Sequence, residues 1–452
     1  MKLRDYQEKD VEFLKNNPQA GIFSEQRTGK TPVACTFLLQ QGFKHSVVVC
    51  PASMQYVWKD EYEKWTGNKA RVLQITGKQK FIWELNELLI VNYEKIRGTS
   101  KNPDIDKWVA KQNPDCIIID EAHRMKGRKT QTTEALMRLG RSTNNRIALT
   151  GTPAADKPWD AWTILHWLRP DLFRSYWKFI EDYCNIVYKY GNGAHPIPVA
   201  IRKDKEVALQ KLLNTFCIQH KRKDIMPWSE SPEPISVRLE LNKDQLKAIE
   251  SIQQYFEYRH IVCFGVLDSL IRIRQICADP SILNLPGKSE KIEWLIQFIK
   301  DYPNKQILVF TNSTKFLHNI KNRLNNSNNG VVVECIYGDV PAINRKTIID
   351  NFQTNKTNIL LLQTQTVKEG LTLDNADVSI FLDTYPPASD YSQAKDRIIP
   401  TVESHVKEQE LIHVMMKDSY DERLYDLVKN NIATTDVIND YKNYLKERGF
   451  IQ

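Results

Sequence analysis

The chain has 452 residues, of which 41% are hydrophobic and 26% charged, and its formal net charge is +8 at pH 7. These values are typical of a globular protein with two or three domains and exclude a disordered or fibrous chain. The eight cysteines are scattered without a C-x-x-C pair or a His/Cys cluster at zinc spacing, so we expect reduced, mostly buried thiols.

The N-terminal sequence M-K-L-R-D-Y-Q runs straight into motif-like sequence, and no apolar run approaches membrane-spanning length. We therefore expect no secretory peptide and no membrane association. A cytoplasmic location in a bacterial or virus-infected cell is the expectation, with the nucleus left open.

Strand-like apolar runs alternate with helical patterns through the first part of the chain. This alternation predicts a parallel sheet wrapped by helices. The predicted strands are residues 20–23, 46–50, 88–92, 116–120 and 146–150.

The first of these strands is followed by S-E-Q-R-T-G-K-T, residues 24–31. Gly29 lets the backbone approach phosphates, Lys30 can reach the β and γ oxygens, and Thr31 can ligate Mg²⁺ where a helix begins. Ser24 stands where the usual G-x-x-x-x-G-K-[ST] pattern has its first glycine. The segment predicts a loop that binds a nucleoside triphosphate.

The sequence C-I-I-I-D-E-A-H, residues 116–123, predicts a buried strand that delivers Asp120 and Glu121 to the carboxyl edge of the sheet. One carboxylate can hold Mg²⁺ while the other orients or deprotonates an attacking water. A solvated strand end is the alternative. The string L-T-G-T-P at residues 149–153 favours triphosphate hydrolysis, although a tight turn would also explain Gly151 and Pro153.

From residue 159 to about 291 strands are hard to find, and helical spacing of apolar residues predicts insertions at about 159–219 and about 243–290. Residues 226–234 hold three prolines and predict an interdomain linker. A second set of strands at 306–311, 331–336, 358–363 and 378–383 predicts a second α/β domain. The predicted domains are 1–228 and 229–452.

Further motifs follow in a fixed order. They are L-R and Y-Q within residues 3–7, V-V-V-C-P from 47, V-N-Y-E from 91, H-K-R-K-D-I-M-P from 220, L-I-R-I-R-Q-I-C-A-D-P from 270, T-Q-T-V-K-E-G-L-T-L from 364 and S-Q-A-K-D-R from 392. Together they resemble the Swi/Snf-type ATPases of helicase superfamily two over essentially the whole chain. The resemblance implies two RecA-like parallel-sheet domains in tandem with helical insertions, as a minimal core of bacterial or viral type.

The resemblance also implies an ATP-driven motor that tracks along duplex DNA, with ATP and Mg²⁺ as cofactors. Lys30, Asp120, Glu121 and Arg397 would be catalytic, with Glu121 as the base and Arg397 as an arginine finger. His123 would couple the nucleotide to the third motif. The residues implied in nucleotide binding are Gln7, which reads adenine, Thr28, Gly29, Lys30, Thr31, Gly370 and Gln393; Thr31 and Asp120 would hold the metal, and Thr364 would act with Gly370 in sensing nucleotide and DNA.

Two positions depart from the family pattern. Pro400 stands where a second arginine is usual in the sixth motif, a change that would slow hydrolysis unless Lys395 or Lys407 substitutes. Arg27 stands where glycine is usual, and we expect it to face solvent. The lysine and the Asp-Glu pair are kept, so an active ATPase is expected.

The expected partner is DNA, double-stranded or branched, bound by a monomer. The basic runs at 124–129 and 220–223 are candidate phosphate contacts, although each could be a solvated charged face. The aromatic residues at 159–177 are expected to form the core of the insertion instead of a platform for bases. Two other functions stay open: a nucleotide-gated DNA-binding scaffold with little or no ATPase activity, suggested by Pro400, and an RNA helicase, in which D-E-A-H also occurs.

Overall fold

The structure is a computed structural model. It describes residues 2–73, 83–98, 104–125, 127–151, 158–189, 195–229, 231–327, 330–366, 373–384, 388–400, 407–430 and 434–451. The chain divides into two compact units, Met1–Pro227 and Trp228–Gln452.

The first unit is built on a parallel sheet. Within the described residues the sheet has seven strands in the order β3-β4-β2-β5-β6-β1-β9. The strands are β1 (Gln19–Ile22), β2 (His45–Cys50), β3 (Ala70–Val72), β4 (Glu87–Asn92), β5 (Cys116–Asp120), β6 (Asn145–Leu149) and β9 (Cys217–Ile218), and a separate antiparallel pair is formed by β7 (Cys184–Lys189) and β8 (His195–Ile201).

Helices cover both faces of this sheet. The helices are α1 (Asp5–Asn16), α2 (Lys30–Gln41), α3 (Gln55–Thr66), α4 (Tyr93–Ile96), α5 (Ile105–Lys111), α6 (Gln131–Gly140), α7 (Ala161–Leu168), α8 (Tyr176–Tyr183), α9 (Lys203–Leu213) and α10 (Arg222–Ile225). Along β2, Val47 and Val49 belong to one buried cluster while Val48 and Cys50 belong to the other. Successive strand residues face opposite sides, so a strand buried on both faces reads as a continuous apolar run.

The central strands place the candidate site. Strands β5, β6 and β1 are neighbours, so their carboxyl ends meet at one edge of the sheet. The phosphate-loop sequence follows β1, Glu121 follows β5, and Thr150 follows β6. Ligands of open parallel sheets bind at this edge.

The insertion predicted as helical at 159–219 is only partly helical. It contains α7, α8 and α9, but β7 and β8 pair as a hairpin within it, and Cys217 and Ile218 form an edge strand of the main sheet. The hairpin is half exposed, with Val187 at 55% and Val199 at 51%. Its apolar residues therefore do not form the buried run that identifies a central strand.

The second unit repeats the parallel-sheet architecture, with the order β10-β17-β16-β13-β15-β14 among the described residues. These two parallel sheets in tandem confirm the predicted α/β fold class. The strands are β10 (Pro234–Leu239), β11 (Glu257–Tyr258), β12 (Ile261–Val262), β13 (Ile307–Thr311), β14 (Val333–Ile336), β15 (Ile359–Gln363), β16 (Val378–Phe381) and β17 (Glu410–Met416), of which β11 and β12 form a short antiparallel pair.

The helices of this unit are α11 (Lys243–Tyr255), α12 (Val266–Ala278), α13 (Glu290–Asp301), α14 (Thr314–Asn326), α15 (Ala342–Gln353), α16 (Ala388–Lys395), α17 (Tyr420–Lys429) and α18 (Thr434–Glu447). Strand β13 sends Val309 to one buried cluster and Leu308 and Phe310 to the other. The proline-rich linker segment extends into the sheet, because Pro234 begins the edge strand β10. In the part of the chain that the structure describes, no helix has the length and hydropathy to cross a membrane.

Candidate active site

The loop between β1 and α2 carries the predicted phosphate-binding residues Thr28 to Thr31. Gly29 precedes α2 with a φ of +76°, in the left-handed region that favours glycine. A Cβ atom at this position would lie 2.1 Å from Nε2 of Gln7. Gln7, predicted to read adenine, therefore packs directly against the loop where the helix begins, and Thr31 lies in the first turn of α2.

The ammonium group of Lys30 lies over this loop. It donates hydrogen bonds to the backbone carbonyls of Ser24 and Glu25, each at 2.9 Å. The Thr28 hydroxyl donates to the Glu25 carbonyl at 2.9 Å, and the Tyr6 hydroxyl donates to the Thr28 carbonyl at 2.9 Å. A lysine ammonium at a helix N-terminus, above a loop of this kind, is suited to bind phosphate oxygens.

The segment that ends the first unit is fastened to the same loop. The backbone N–H of His220 donates to Oγ of Ser24 at 3.0 Å, and the Glu25 N–H donates to the His220 carbonyl at 3.0 Å. The Arg222 N–H donates to Oε2 of Glu25 at 2.7 Å, and Nε2 of His220 lies 2.8 Å from Oδ1 of Asp10. Residues 220–222, part of a basic run considered for DNA contact, therefore support the phosphate loop.

Arg27 also lies in this loop. Its φ is +65°, a left-handed conformation that non-glycine residues adopt at some cost. This conformation gives a physical reason for the glycine that the family pattern has at the position. The residue is half-buried.

Asp120 lies at the end of β5 and is 6% exposed. The indole N–H of Trp58 donates to its Oδ2 at 2.8 Å, and the Glu121 N–H donates to its Oδ1 at 3.0 Å. Burial, followed by the charge of Glu121, raises the pKa of Asp120 to about 7, while the bond from Trp58 and the charge of Lys30 act to lower it. The influence of Lys30 shows that Asp120 lies beside the phosphate loop.

Glu121 is held by a short chain of polar contacts. Its φ of +52° turns the backbone sharply out of β5. Nδ1 of His123 lies 3.2 Å from Oε2 of Glu121 and 3.1 Å from Oγ1 of Thr150. The Tyr93 hydroxyl donates to the backbone carbonyl of Asp120 at 2.6 Å and fixes the turn from below. His123 thus joins the D-E-A-H segment to the third motif at the end of β6.

The third motif also touches the phosphate loop. A Cβ atom on Gly151 would lie 3.3 Å from Cγ of Gln26 and 3.7 Å from the carbonyl oxygen of Ser24. A larger side chain would press on the loop. Thr152 and Pro153 lie outside the described residues.

The predicted residues of the second unit lie on neighbouring elements. The buried Thr364 follows β15, and its hydroxyl donates to the Thr311 carbonyl at 3.1 Å. Gln393 lies on α16, and its buried Oε1 has no hydrogen-bond partner among the described residues. Arg397 lies in the single turn after α16 and is 7% exposed. Gly370 lies outside the described residues.

Pro400 is buried, and its carbonyl accepts a hydrogen bond from Oγ of Ser229 at 3.0 Å. Of the two lysines considered as substitutes for the second arginine, Lys407 is bonded to the Asn375 carbonyl and to Oδ1 of Asp377, both at 2.6 Å. These residues precede β16, at the amino edge of the sheet. The structure therefore does not support Lys407 as a substitute.

The aromatic residues of the insertion differ in burial. Trp162 and Trp167 are buried, in agreement with the prediction of a core role, and the Trp167 indole donates to the Leu136 carbonyl at 2.9 Å. Trp177 is 47% exposed. In the basic run 124–129, the Arg124 guanidinium lies 5.7 Å from the Tyr93 ring centroid. Lys126 lies outside the described residues.

The residues present fit a magnesium ion bound together with a triphosphate. Among the described residues, no group of three or more His, Cys, Asp or Glu side chains could hold a metal ion without further ligands. The Thr31 hydroxyl and the Asp120 carboxylate are oxygen donors of the kind that Mg²⁺ prefers, and Mg²⁺ commonly takes most of its other ligands from phosphates and water.

Three residues of the site were not assigned a role from the sequence. Trp58 and Tyr93 lie within quoted motifs, but their bonds to Asp120 depend on how α3 and the end of β4 pack against β5. His220 was considered only for its charge. An aromatic residue with a polar atom that recurs inside such motifs would have been the available signal.

The chain matches the SNF2-related domain over residues 6–282 and the helicase conserved C-terminal domain over residues 290–399. It is 25% identical over 419 residues to an uncharacterized ATP-dependent helicase of Mycoplasma pneumoniae, covering 87% of this chain and 38% of that protein. It is 23% identical over 409 residues to the DNA annealing helicase and endonuclease ZRANB3 of Homo sapiens, covering 88% of this chain and 37% of that protein. The chain thus spans less than two fifths of either relative.

Among solved structures, the Sulfolobus solfataricus SWI2/SNF2 ATPase core in complex with dsDNA is similar, with a TM-score of 0.44 and 20% sequence identity. The similarity covers 95% of this chain and 91% of that chain.

Proposed function

Because this chain belongs to the SNF2-related family of helicase-type ATPases, we propose that it is an ATP-dependent motor that moves along double-stranded DNA or remodels it. The observation that carries the proposal is the continuous set of contacts in the first unit. It links Lys30 on the phosphate loop, the Asp120–Glu121 pair, and His123 with Thr150.

In this proposal the loop binds the triphosphate. Lys30 exchanges its bonds to the carbonyls of Ser24 and Glu25 for bonds to β and γ phosphate oxygens. Gln7, packed against Gly29, reads the adenine. When bound, Mg²⁺ would be held by Thr31 and Asp120 and would neutralise charge on the β and γ phosphate oxygens.

Glu121 acts as the general base. Its carboxylate orients the attacking water and accepts a proton as the water oxygen bonds to the γ phosphorus and the bond to the ADP oxygen breaks. His123 keeps the carboxylate in place at 3.2 Å and connects it to Thr150. The base is thereby coupled to the end of β6.

The second unit supplies the remaining residues. We assign Arg397 as the arginine finger, Gln393 as the residue that helps to place it, and Thr364 with Gly370 as sensors of nucleotide and DNA. Two observations support the assignment: Arg397 directly follows α16, which carries Gln393, and α16 packs against the turn that begins at Thr364.

The assignment of DNA as the track has two supports. The human relative is named as a DNA annealing helicase and endonuclease. The resemblance of the motifs is to motors that follow duplex DNA through its phosphates, contacts that carry no sequence code. The motor is proposed to act as a monomer.

The test is an ATPase assay with no nucleic acid, single-stranded DNA, duplex DNA, forked DNA and RNA. Duplex DNA is expected to stimulate hydrolysis, and Lys30→Ala or Glu121→Gln is expected to abolish it. Lys211→Ala, which removes an exposed cation on α9, serves as the matched control. Equal rates with and without every nucleic acid would exclude the DNA motor, and selective stimulation by single-stranded RNA would favour an RNA helicase.

The buried Pro400 supports a second candidate, a DNA-binding scaffold gated by nucleotide with little or no turnover. A motor that lacks one of two cationic groups near the γ phosphate should hydrolyse ATP slowly. Phosphate release that depends on Glu121 would exclude the scaffold.

A further inference from the structure

The two basic runs in the first unit serve different purposes. Residues 220–222 bond to the phosphate loop, and Arg124 lies over Tyr93 beside the D-E-A-H segment. Arg128 is different, because it is exposed and its guanidinium carbon lies 3.7 Å from the ring centroid of Tyr176 and 5.0 Å from that of Trp177.

Further cations accompany this contact. Tyr176 and Trp177 begin α8, and Arg174 and Lys178 lie two residues before the first and one residue after the second. Lys129 follows Arg128 in the loop that reaches them. All four cations are exposed, and within the described ranges none of them forms an ion pair with a carboxylate. We call Arg128, Lys129, Arg174, Trp177 and Lys178 the Arg128 surface.

The acidic groups nearby do not neutralise the Arg128 surface. Asp171 is bonded to Arg169, with Nη2 2.5 Å from Oδ2. Asp160 is close enough to Tyr176 to raise its pKa, after the larger effect of burial. Glu181 and Asp182 lie in the second turn of α8, away from its start.

Packing of the insertion does not account for Trp177. The buried side of α8 is formed by Phe179 and Ile180, and Tyr176 meets the edge of Trp162 at 5.5 Å between ring centroids. Trp177 keeps 47% of its surface exposed beside a cation. A large apolar side chain in such a position contributes little to the core, so a role in contact with a partner explains it better.

Stacking also prepares Arg128 for binding. An arginine that lies flat on an aromatic ring loses side-chain freedom before a partner arrives, while its N–H groups stay directed outward in the guanidinium plane. Such a group pairs with phosphate oxygens at a lower entropic cost than a freely moving lysine.

We propose that the Arg128 surface binds the phosphate backbone of duplex DNA as a contact outside the nucleotide site. Arg128 pairs with a phosphate, Lys129, Arg174 and Lys178 add further phosphate contacts, and Trp177 packs on the adjacent deoxyribose. This inference rests on the proposed DNA motor and names a surface through which the first unit holds its track.

The test compares Arg128→Ala/Lys129→Ala with Lys203→Ala/Lys211→Ala, a control that removes two exposed cations on α9 of the same insertion. Binding to a fluorescent DNA duplex is measured by anisotropy across a range of salt concentrations. Loss of two phosphate contacts should lower the slope of log K against log salt by about 1.8 and weaken binding about tenfold. Basal ATPase without DNA should equal that of the unmodified chain in both variants.

Trp177→Ala separates the aromatic contribution from charge. It should weaken duplex binding with no change in the salt slope, since the indole carries no charge. A lower slope in this variant, an equal loss in the α9 control, or undiminished duplex binding in Arg128→Ala/Lys129→Ala would each overturn the proposal. So would a loss confined to duplex RNA. If duplex DNA neither binds nor stimulates the unmodified chain, the proposed motor itself is wrong.

Discussion

The backbone N–H of His220 donates a hydrogen bond to Oγ of Ser24 at 3.0 Å, and this bond ties the end of the first unit to its phosphate loop. Ser24 is 1% exposed and occupies the position at which the usual phosphate-loop pattern has glycine. The departure from the pattern therefore has a structural reason, since a glycine would leave the His220 N–H without its acceptor.

Ser24→Gly should destabilise the first unit. An N–H that loses its buried acceptor costs about 1–3 kcal/mol, and the free energy of unfolding in urea should fall by that amount. Ser142→Ala is the control, because the Ser142 hydroxyl is part-buried and donates only to the Leu139 carbonyl. Equal stability of Ser24→Gly and the unmodified chain would show that the bond contributes nothing.

Replacing Glu121 should remove turnover and keep nucleotide binding. Glu121→Gln removes the proton acceptor but preserves the size of the side chain, and general base catalysis is worth about 10²–10⁴ in rate. The ATPase rate should fall by that factor while the Kd of a fluorescent ATP analogue changes little.

Replacing His123 should have a smaller effect on turnover. His123→Ala leaves Glu121 present but unsupported, because the contacts at 3.2 Å to Glu121 and 3.1 Å to Thr150 are lost. The turnover rate should therefore lie between those of the unmodified chain and Glu121→Gln. A rate in His123→Ala equal to that of the unmodified chain would contradict the coupling.

The second unit should lose stability in mild acid through His413. Burial, with the charges of Lys395 and Lys429, lowers the pKa of His413 to about 3. The unfolded chain binds a proton below about pH 6.5 while the folded chain does not, so the stability contributed by neutral His413 is complete above that pH and falls by up to about 1.4 kcal/mol per pH unit below it.

His413→Gln tests this effect, since glutamine does not titrate and can still bond the Tyr391 hydroxyl, which lies 3.1 Å from Nε2 of His413. Urea unfolding at several pH values should show a shallower acid slope in the variant, by about one proton. Parallel slopes in the two proteins would mean that His413 is protonated in the folded state.

Restoring the family's second arginine should fail. Pro400 is buried with its carbonyl bonded to Ser229, so Pro400→Arg forces a charged group into a packed site. We expect a loss of several kcal/mol in unfolding free energy and no gain in ATPase rate, with Lys395→Arg as a control at a half-buried position on α16. A stable and faster Pro400→Arg variant would show that the position opens toward the nucleotide.

The central strands were predicted from sequence to within one or two residues, because strands buried on both faces read as continuous apolar runs. The sequence β5 is one such run and was predicted with its exact bounds, Cys116–Asp120. Strand β10 was missed since it is an edge strand with mostly exposed residues, and β17 was missed since the polar His413 interrupts its apolar run.

The site divides in the same way. Residues fixed by local chemistry, such as Gly29 and Lys30, were identified from the loop sequence. The contact of Trp58 with Asp120 and that of His220 with Ser24 join positions 62 and 196 residues apart. Such contacts follow from the packing of whole elements and leave no local pattern.

Displacement of a third strand from a DNA triplex tests most directly whether the chain moves along duplex DNA. A motor that tracks along the duplex displaces the third strand without separating the two strands beneath it. We predict displacement that requires ATP and is lost in Lys30→Ala and Glu121→Gln. Hydrolysis stimulated by duplex DNA without any displacement of the third strand would contradict the motor.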